Sequence, residues 1–287
     1  MKAELGIWPV RVEAEKLGEA LAQRLGGELV RPWRHLGAAA GEPSQGARSQ
    51  EARSPEAEFR EALSERTLSQ KALFQGQFGQ RSQWVLVMAT GIAVRFIDGM
   101  LRDKHQDPAV VVLDEAGRHA LALVGGHEGG ANALAYRVAN AVGAIPVVTT
   151  ATEAAKPLVI GIGCRKGVSE EQIERAVRYA LGQGGGAADD LEGIREIATV
   201  DLKAEEPGLV AFAQRHGIPL RVISKRQIEA RPWVSKPSEW VRQSVGLDGV
   251  CEPCALIASV RGRLVVPKTT LDGVAVAIVA DEWGFGS

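Results

Sequence analysis

Leu121-Ala122-Leu123-Val124-Gly125-Gly126-His127-Glu128-Gly129-Gly130-Ala131-Asn132-Ala133-Leu134-Ala135 is the stretch whose reading decides the fold. A short apolar run of buried-strand type gives way to a loop with four glycines, and the loop to a helix. In that helix Ala131, Leu134, Ala135, Val138, Ala139 and Val142 follow the i, i+3, i+4, i+7 spacing, and Gly143 supplies the stop. Pro146 to Val148 is apolar again. Strand, helix and strand in that order imply an α/β domain with a mostly parallel sheet.

Toward the N-terminus, Trp84 to Met88 and Val110 to Leu113 repeat the buried-strand pattern, the second after Asp107-Pro108. Leu17, Leu21 and Leu25 lie four apart on a predicted helix that Gly26-Gly27 ends. From about Gly37 to Glu58 the composition turns to Gly, Ala, Ser, Pro, Glu and Arg, which predicts a flexible insertion or exposed loop. Toward the C-terminus a second unit opens near Lys156-Pro157. Leu158 to Ile162 reads as a strand, and Ser169 with Gln172 as a capping box before Ile173, Ala176, Val177, Ala180 and Leu181. Further strands are expected at Ile194 to Val200, Leu220 to Ile223, Ala255 to Ser259, Leu264 to Val266 and Val274 to Val279. A short helix is expected from Pro207 to Gly217. A hairpin-like pair around Arg261-Gly262-Arg263 points to a mixed second sheet. The reading is therefore two α/β domains with flanking helices, over residues 1–155 and 156–287, the first sheet mostly parallel and the second mixed. No repeat of fixed period is evident.

Composition narrows the function classes. Apolar residues make up 45% of the 287 but aromatics only 5%, so the cores must be built from aliphatic residues, as α/β layers are. A formal net charge of -1 offers no global field for nucleic acid or an anionic membrane, so an anionic ligand must be gripped locally. Met1-Lys2-Ala3-Glu4-Leu5 does not read as a signal peptide, and no stretch approaches the ~20 apolar residues of a membrane span. A soluble cytoplasmic protein is expected. Three cysteines, Cys164, Cys251 and Cys254, do not make a disulfide framework.

Candidate chemistry collects in a few places. The glycine loop at 125–130 permits close backbone approach, and the helix mouth behind it offers N–H groups to an anion; a plain strand–helix turn has the same composition. His127 is the one imidazole in that loop, a side chain of the type used for acid–base chemistry near neutral pH. Gly161-Ile162-Gly163-Cys164-Arg165-Lys166-Gly167 lies between strand and capped helix, but its spacing is one residue too long for a dinucleotide fingerprint. Cys251-Glu252-Pro253-Cys254 lacks the further ligands that zinc requires and leads into an apolar, strand-like run, so buried structural thiols are expected. Thr149-Thr150, Lys203 with Glu205-Glu206, and Lys268 with Thr269-Thr270 each follow an expected strand end, where α/β sheets tend to bind ligands.

Taken together, these blocks resemble the cobalt-precorrin 5A hydrolase family, known as CbiG. The first-half resemblance runs through Met88-Ala89-Thr90-Gly91-Ile92-Ala93-Val94-Arg95, Lys104, Asp107 to Glu115, Gly126 to Asn132 and Thr149 to Thr152. In the second half it runs through Gly161 to Gly167, Asp201-Leu202-Lys203-Ala204-Glu205-Glu206 and Pro267 to Leu271; this half also resembles CobE, a stand-alone relative of the family's C-terminal domain. Two departures stand out: the family's usual middle segment is absent between Thr152-Glu153 and Lys156-Pro157, and the 37–58 insertion is not a family pattern.

What the resemblance implies is opening of a δ-lactone on a cobalt-bearing tetrapyrrole, followed by expulsion of acetaldehyde. His127, Glu252 and Lys268 form the expected catalytic set, with His127 as base, N–H groups near Gly129 and Gly130 as oxyanion donors, and Glu252 or Glu206 returning a proton. The expected substrate-binding residues are Thr90, Gly91, Arg95, Lys104, Gly126, Gly129, Gly130, Asn132, Thr149, Thr150, Gly161, Gly163, Arg165, Lys203 and Glu206. Arg95, Lys104, Arg165, Lys203 and Lys268 would clamp the substrate's carboxylate arms. No protein metal site and no cofactor are expected, since cobalt arrives inside the ring. The partners implied are the tetrapyrrole itself and neighbouring enzymes of the cobalamin pathway, with no nucleic acid and no membrane. A non-catalytic corrinoid-binding or handover protein is the alternative.

Overall fold

Leu5–Pro9 forms a strand, β1, whose five residues are all buried. The computed structural model describes residues 4–36, 69–184 and 191–281. The chain divides into an N-terminal unit, Met1–Val148, and a C-terminal unit, Thr149–Ser287. The expected flexible stretch at 37–58 lies outside the described residues.

In the N-terminal unit β1 is joined by β2 (Glu28–Leu29), β3 (Gln83–Val87), β4 (Ala109–Leu113), β5 (His119–Val124) and β6 (Ile145–Val147). The sheet order is β2-β1-β3-β4-β5-β6. All pairings are parallel except β4 with β5, which is an antiparallel hairpin. Its turn is held by Asp114, whose carboxylate accepts the backbone N–H groups of Arg118 and His119 at 2.8 and 2.7 Å.

Alternate residues of the central strands feed opposite cores, as the two-residue period of a strand requires. Val85, Val87, Val111 and Leu113 pack toward the helices α1 (Glu15–Leu25) and α5 (Ala131–Val142). Trp84, Leu86, Met88, Val110 and Val112 face the other way, onto Trp8 and Phe74 and onto Phe96 of a helix at Thr90–Ile97. The chain before β3 is helical over residues 69–77, numbered α3 after α2 (Pro32–Leu36), and the Thr90–Ile97 helix is α4. Trp8, Phe74 and Trp84 meet edge to face at 5.0–6.3 Å, which gives this layer an aromatic cluster. α1 and α5 each end on a left-handed glycine, Gly26 and Gly143, as expected from the sequence.

The C-terminal unit begins with α6 (Ala151–Ala154) and contains β7 (Leu158–Cys164), β8 (Ile194–Val200), β9 (Leu220–Ile223), β10 (Gly262–Leu271) and β11 (Val274–Asp281). The order is β10-β11-β7-β8-β9. β7, β8 and β9 are parallel, and β11 runs antiparallel to both β7 and β10. One face is covered by α7 (Glu170–Gly182), which opens on the expected Ser169–Gln172 capping box, and by α8 (Pro207–Arg215). The other face is covered by α11 (Cys251–Ala258). Between β9 and α11 lie α9 (Lys225–Glu229) and α10 (Glu239–Val245).

Three expectations are corrected here. Ala255 to Ser259 is not a strand: it belongs to α11 and the residue that ends it, because an apolar run this short fits a buried helix as well as a strand. The hairpin does not turn at Arg261-Gly262-Arg263. It turns at Asp272-Gly273, which carry φ values of 51° and 82°, the left-handed pair of a two-residue hairpin. Lys268-Thr269-Thr270 consequently lies inside β10 rather than after a strand. Pro267 hid that strand in the sequence; it is tolerated because β10 is an edge strand with two irregularities in register. Among the described residues no helix is long and apolar enough to cross a membrane.

Candidate functional site

The C-terminal ends of β7 and β8 and the Asp272-Gly273 hairpin converge on a cavity of 360 Å³ in the C-terminal unit. β7 is the switch point of this sheet: β8 and β9 extend to one side of it, β11 and β10 to the other. Ligands of α/β sheets bind at such a point, where diverging connections leave a crevice. Gly163, Cys164 and Arg165 enter from β7, Leu202 and Lys203 from the turn after β8, and Lys268 and Thr270 from β10. Trp240 of α10 and Val250 at the start of α11 close the wall opposite. Of the residues expected to bind or react, Gly163, Arg165, Lys203 and Lys268 are thus brought together.

The cations differ in their surroundings. The Lys203 ammonium donates to the Glu206 carboxylate at 2.9 Å, and the Gly167 N–H donates to the other oxygen at 2.6 Å. Burial pushes the Glu206 carboxyl up, but Lys203 and the Gly167 N–H outweigh it and hold it below the usual carboxylate range. A proton-donor role was expected of Glu206; its carboxylate is instead engaged by Lys203 and the Gly167 N–H. Among the described residues neither Arg165 nor Lys268 meets a carboxylate within ion-pair distance, whereas the nearby Asp272 is taken by Arg175 at 2.8 Å. Arg165 lies 6.0 Å from the centroid of the Trp240 ring, in cation–π range.

Glu252 is 1% exposed and does not line the cavity. Its carboxylate accepts the backbone N–H of Ser235, the Ser235 hydroxyl and the backbone N–H of Lys268. The acid role expected of it is corrected to a positioning one, since its oxygens are turned onto the frame rather than into the cavity. Gly161 is likewise a packing residue: a methyl group there would lie 1.7 Å from the Cys251 carbonyl oxygen, so its missing side chain is what lets α11 sit on β7. Cys251 and Cys254 stand in the first turn of α11, which continues as helix where a strand-like run was expected to follow them. Both are buried, and burial pushes the Cys251 thiol up to about 12 and Cys254 well above its usual value. Such thiols are inert, in line with a structural reading.

In the N-terminal unit the glycine loop folds on itself. The N–H groups of Ala131 and Asn132, at the start of α5, donate to the carbonyls of Gly125 and Gly126 at 3.0 Å. A Cβ on Gly129 would lie 2.8 Å from the Gly125 carbonyl oxygen, and Gly130 has a φ of 82°, so both glycines are required by the turn. His127 is exposed at its tip. Beside it Lys104 pairs with Glu128 at 2.9 Å, which raises the lysine and holds the carboxylate below its usual range.

Because β5 runs antiparallel to β4, this loop emerges at the edge where β3 and β4 begin; Gly125 packs against Ala109. β6 runs parallel to β5 and so ends at the same edge; Thr149 and Thr150, which follow it in the chain, belong to the C-terminal unit. Thr90 and Gly91 open α4 just after the end of β3, at the opposite edge. Arg95, further along α4, donates to its own helix at Gly91 O, 3.0 Å away. The expected binding residues of this unit thus form two groups on two edges.

Reading along the sequence missed Trp240 and Leu202. Trp240 stands in the first turn of α10, where the Ser238 hydroxyl accepts the Val241 N–H at 3.4 Å. Nothing local marked either residue as lining a cavity.

Comparison with known proteins sets this geometry in context. Residues 72–153 match the family model described as Cobalamin synthesis G N-terminal, and residues 158–279 match Cobalamin synthesis G C-terminus. The two models nearly abut, in keeping with the missing middle segment. A cobalt-precorrin-5A hydrolase of Salmonella typhimurium is 54% identical over 69 residues, which are 24% of this chain and 20% of that protein. One from Priestia megaterium is 22% identical, covering 68% of this chain and 77% of the relative. Protein CobE of Sinorhizobium sp is 32% identical, covering 45% of this chain and 82% of CobE. Among solved structures, a putative cobalamin biosynthesis protein G homolog from Sulfolobus solfataricus aligns over 97% of both chains at 18% identity, with a TM-score of 0.35.

Proposed function

Since this chain belongs to the CbiG family of cobalamin synthesis, we propose that it is a cobalt-precorrin-5A hydrolase that acts on a cobalt-bearing tetrapyrrole. Both family halves are present in order, and that observation carries the reading. In the reaction, water adds to the δ-lactone carbonyl and the acyl C–O bond breaks, leaving a carboxylate and an alkoxide. The alkoxide then collapses to a carbonyl, the carbon–carbon bond to the ring breaks with its electron pair taken up by the conjugated macrocycle, and acetaldehyde departs to leave cobalt-precorrin-5B.

In the N-terminal unit, exposed His127 is assigned as the base that activates water, and the amides of Gly129 and Gly130 as donors to the developing oxyanion. Lys104, Gly126 and Asn132 are assigned to substrate binding at that same edge of the sheet. In the C-terminal unit, Arg165 and Lys268, with Lys203 beside its Glu206 partner, are assigned to the acid arms. Cobalt enters within the substrate, and no resident cofactor is assigned.

The test is anaerobic incubation of the full chain with cobalt-precorrin-5A, reading acetaldehyde through a coupled reductase. Catalytic release is expected. One second reading is a corrinoid-handover protein; the C-terminal half by itself is similar to most of the length of CobE. Tight, coloured binding without acetaldehyde would establish that reading instead.

A further inference from the structure

We propose that the C-terminal cavity holds one acid-bearing edge of the macrocycle, with the ring overhanging its mouth on a platform made by Trp240 and Leu202. The identity of the ligand rests on the hydrolase reading; the platform rests on the geometry of this unit alone. At 360 Å³ the cavity lies near the lower end of small-molecule sites, about 300–1,000 Å³. A ring of four pyrrole-derived units with its acid arms exceeds such a volume, so a bound one must extend past the rim. That rim is apolar: Leu202 is 63% and Trp240 54% exposed although both line the cavity. Exposed apolar side chains that also line a cavity stand where a ligand can cover them.

The charges stand where such a ligand needs them. Arg165 is held over the Trp240 ring, its stem braced by the hairpin turn at Gly273, and Lys268 enters from β10. Val200, Val250 and Val274 supply an apolar lining between them. A flat, largely apolar ring edged with carboxylates satisfies both features. A phosphate seeking backbone amides does not, because the glycines of β7 lie against α11 and the residue before it rather than facing an open loop.

The full chain is titrated with cobyrinic acid, a cobalt corrinoid with free acid arms, and with its fully amidated counterpart. Trp240→Ala is expected to weaken both about tenfold, as loss of a central aromatic contact does. Arg165→Gln is expected to weaken only the acid form, also about tenfold, and to flatten its salt dependence. Trp233→Ala serves as the control, since Trp233 is equally exposed at 54% but does not line the cavity; it should bind within about twofold of the unaltered chain. Unchanged binding in Trp240→Ala, an equal loss in Trp233→Ala, or no binding by the unaltered chain would each overturn the assignment. Turnover of cobalt-precorrin-5A, measured alongside, separates the two readings. Turnover with binding indifferent to Trp240 removes the platform and leaves the hydrolase. Trp240-dependent binding without turnover does the reverse.

Discussion

The Glu252 carboxylate accepts the backbone N–H of Lys268 at 2.9 Å and so pins β10 to the start of α11, while its second oxygen holds the N–H of Ser235 at 2.8 Å. One buried acid thereby fixes Lys268, which lines the cavity, and the segment that leads into α10 and Trp240. A buried donor left without its acceptor costs about 1–3 kcal/mol. Glu252→Ala is expected to destabilise the chain by about 2 kcal/mol or more in urea unfolding. Glu252→Gln, which keeps one acceptor oxygen, should lose less. Equal stability of all three chains would show that these bonds are not structural.

Gly161 and Gly167 belong to one glycine motif but serve different ends. Gly161→Ala drives a methyl group into the Cys251 carbonyl and is expected to cost about 3 kcal/mol, the upper end of ordinary overpacking. Gly167→Ala meets nothing within 4 Å, yet at a φ of 80° it carries left-handed strain of about 1–2 kcal/mol. Urea midpoints of the two variants check the order, which a ligand-cradle role for Gly161 would not produce.

Glu206 links stability to acid pH. Its folded carboxyl is held below the usual value, so its stabilising effect is fully present above about pH 4.3, the unfolded value, and is lost as pH falls through the folded one. The unaltered chain should therefore exceed Glu206→Gln in thermal midpoint at pH 7 by a margin constant from pH 6 to 8. That margin should shrink once the pH drops below about 4. A margin growing toward low pH would reverse the assigned sign.

His127 is the group whose loss should silence chemistry without unfolding the unit, since it is exposed at a loop tip. His127→Gln and His127→Ala are expected to cut acetaldehyde release about 100-fold, with the thermal midpoint unmoved. Near-normal turnover in either variant takes the base role from it.

Local order was legible wherever it depends on near neighbours. The apolar runs that became β3, β4, β7 and β8, the capping box at Ser169 and the stops at Gly26 and Gly143 are properties of a few adjacent residues. So are the glycine clusters and lysines that carry the family resemblance. The second half of the Cys251–Ala258 helix was misread for a physical reason: the apolar run Ala255 to Ala258 is too short to reveal its period. The hairpin turn was marked by Asp272-Gly273, but Pro267 masked the strand before it.

Strand direction and pairing belong to the tertiary structure alone, because they join residues far apart in sequence whose local preferences are the same either way. The antiparallel placing of β5 put the His127 loop and Thr90 on opposite edges of one sheet. The packing of α11 on β7 turned Gly161 from a suspected ligand contact into a spacer. The return of the β10–β11 hairpin beside β7 set Lys268 and Arg165 around one cavity, and α10 brought Trp240 to its mouth. Sequence determined which chemical groups this chain possesses; long-range pairing and close packing decided which of them meet.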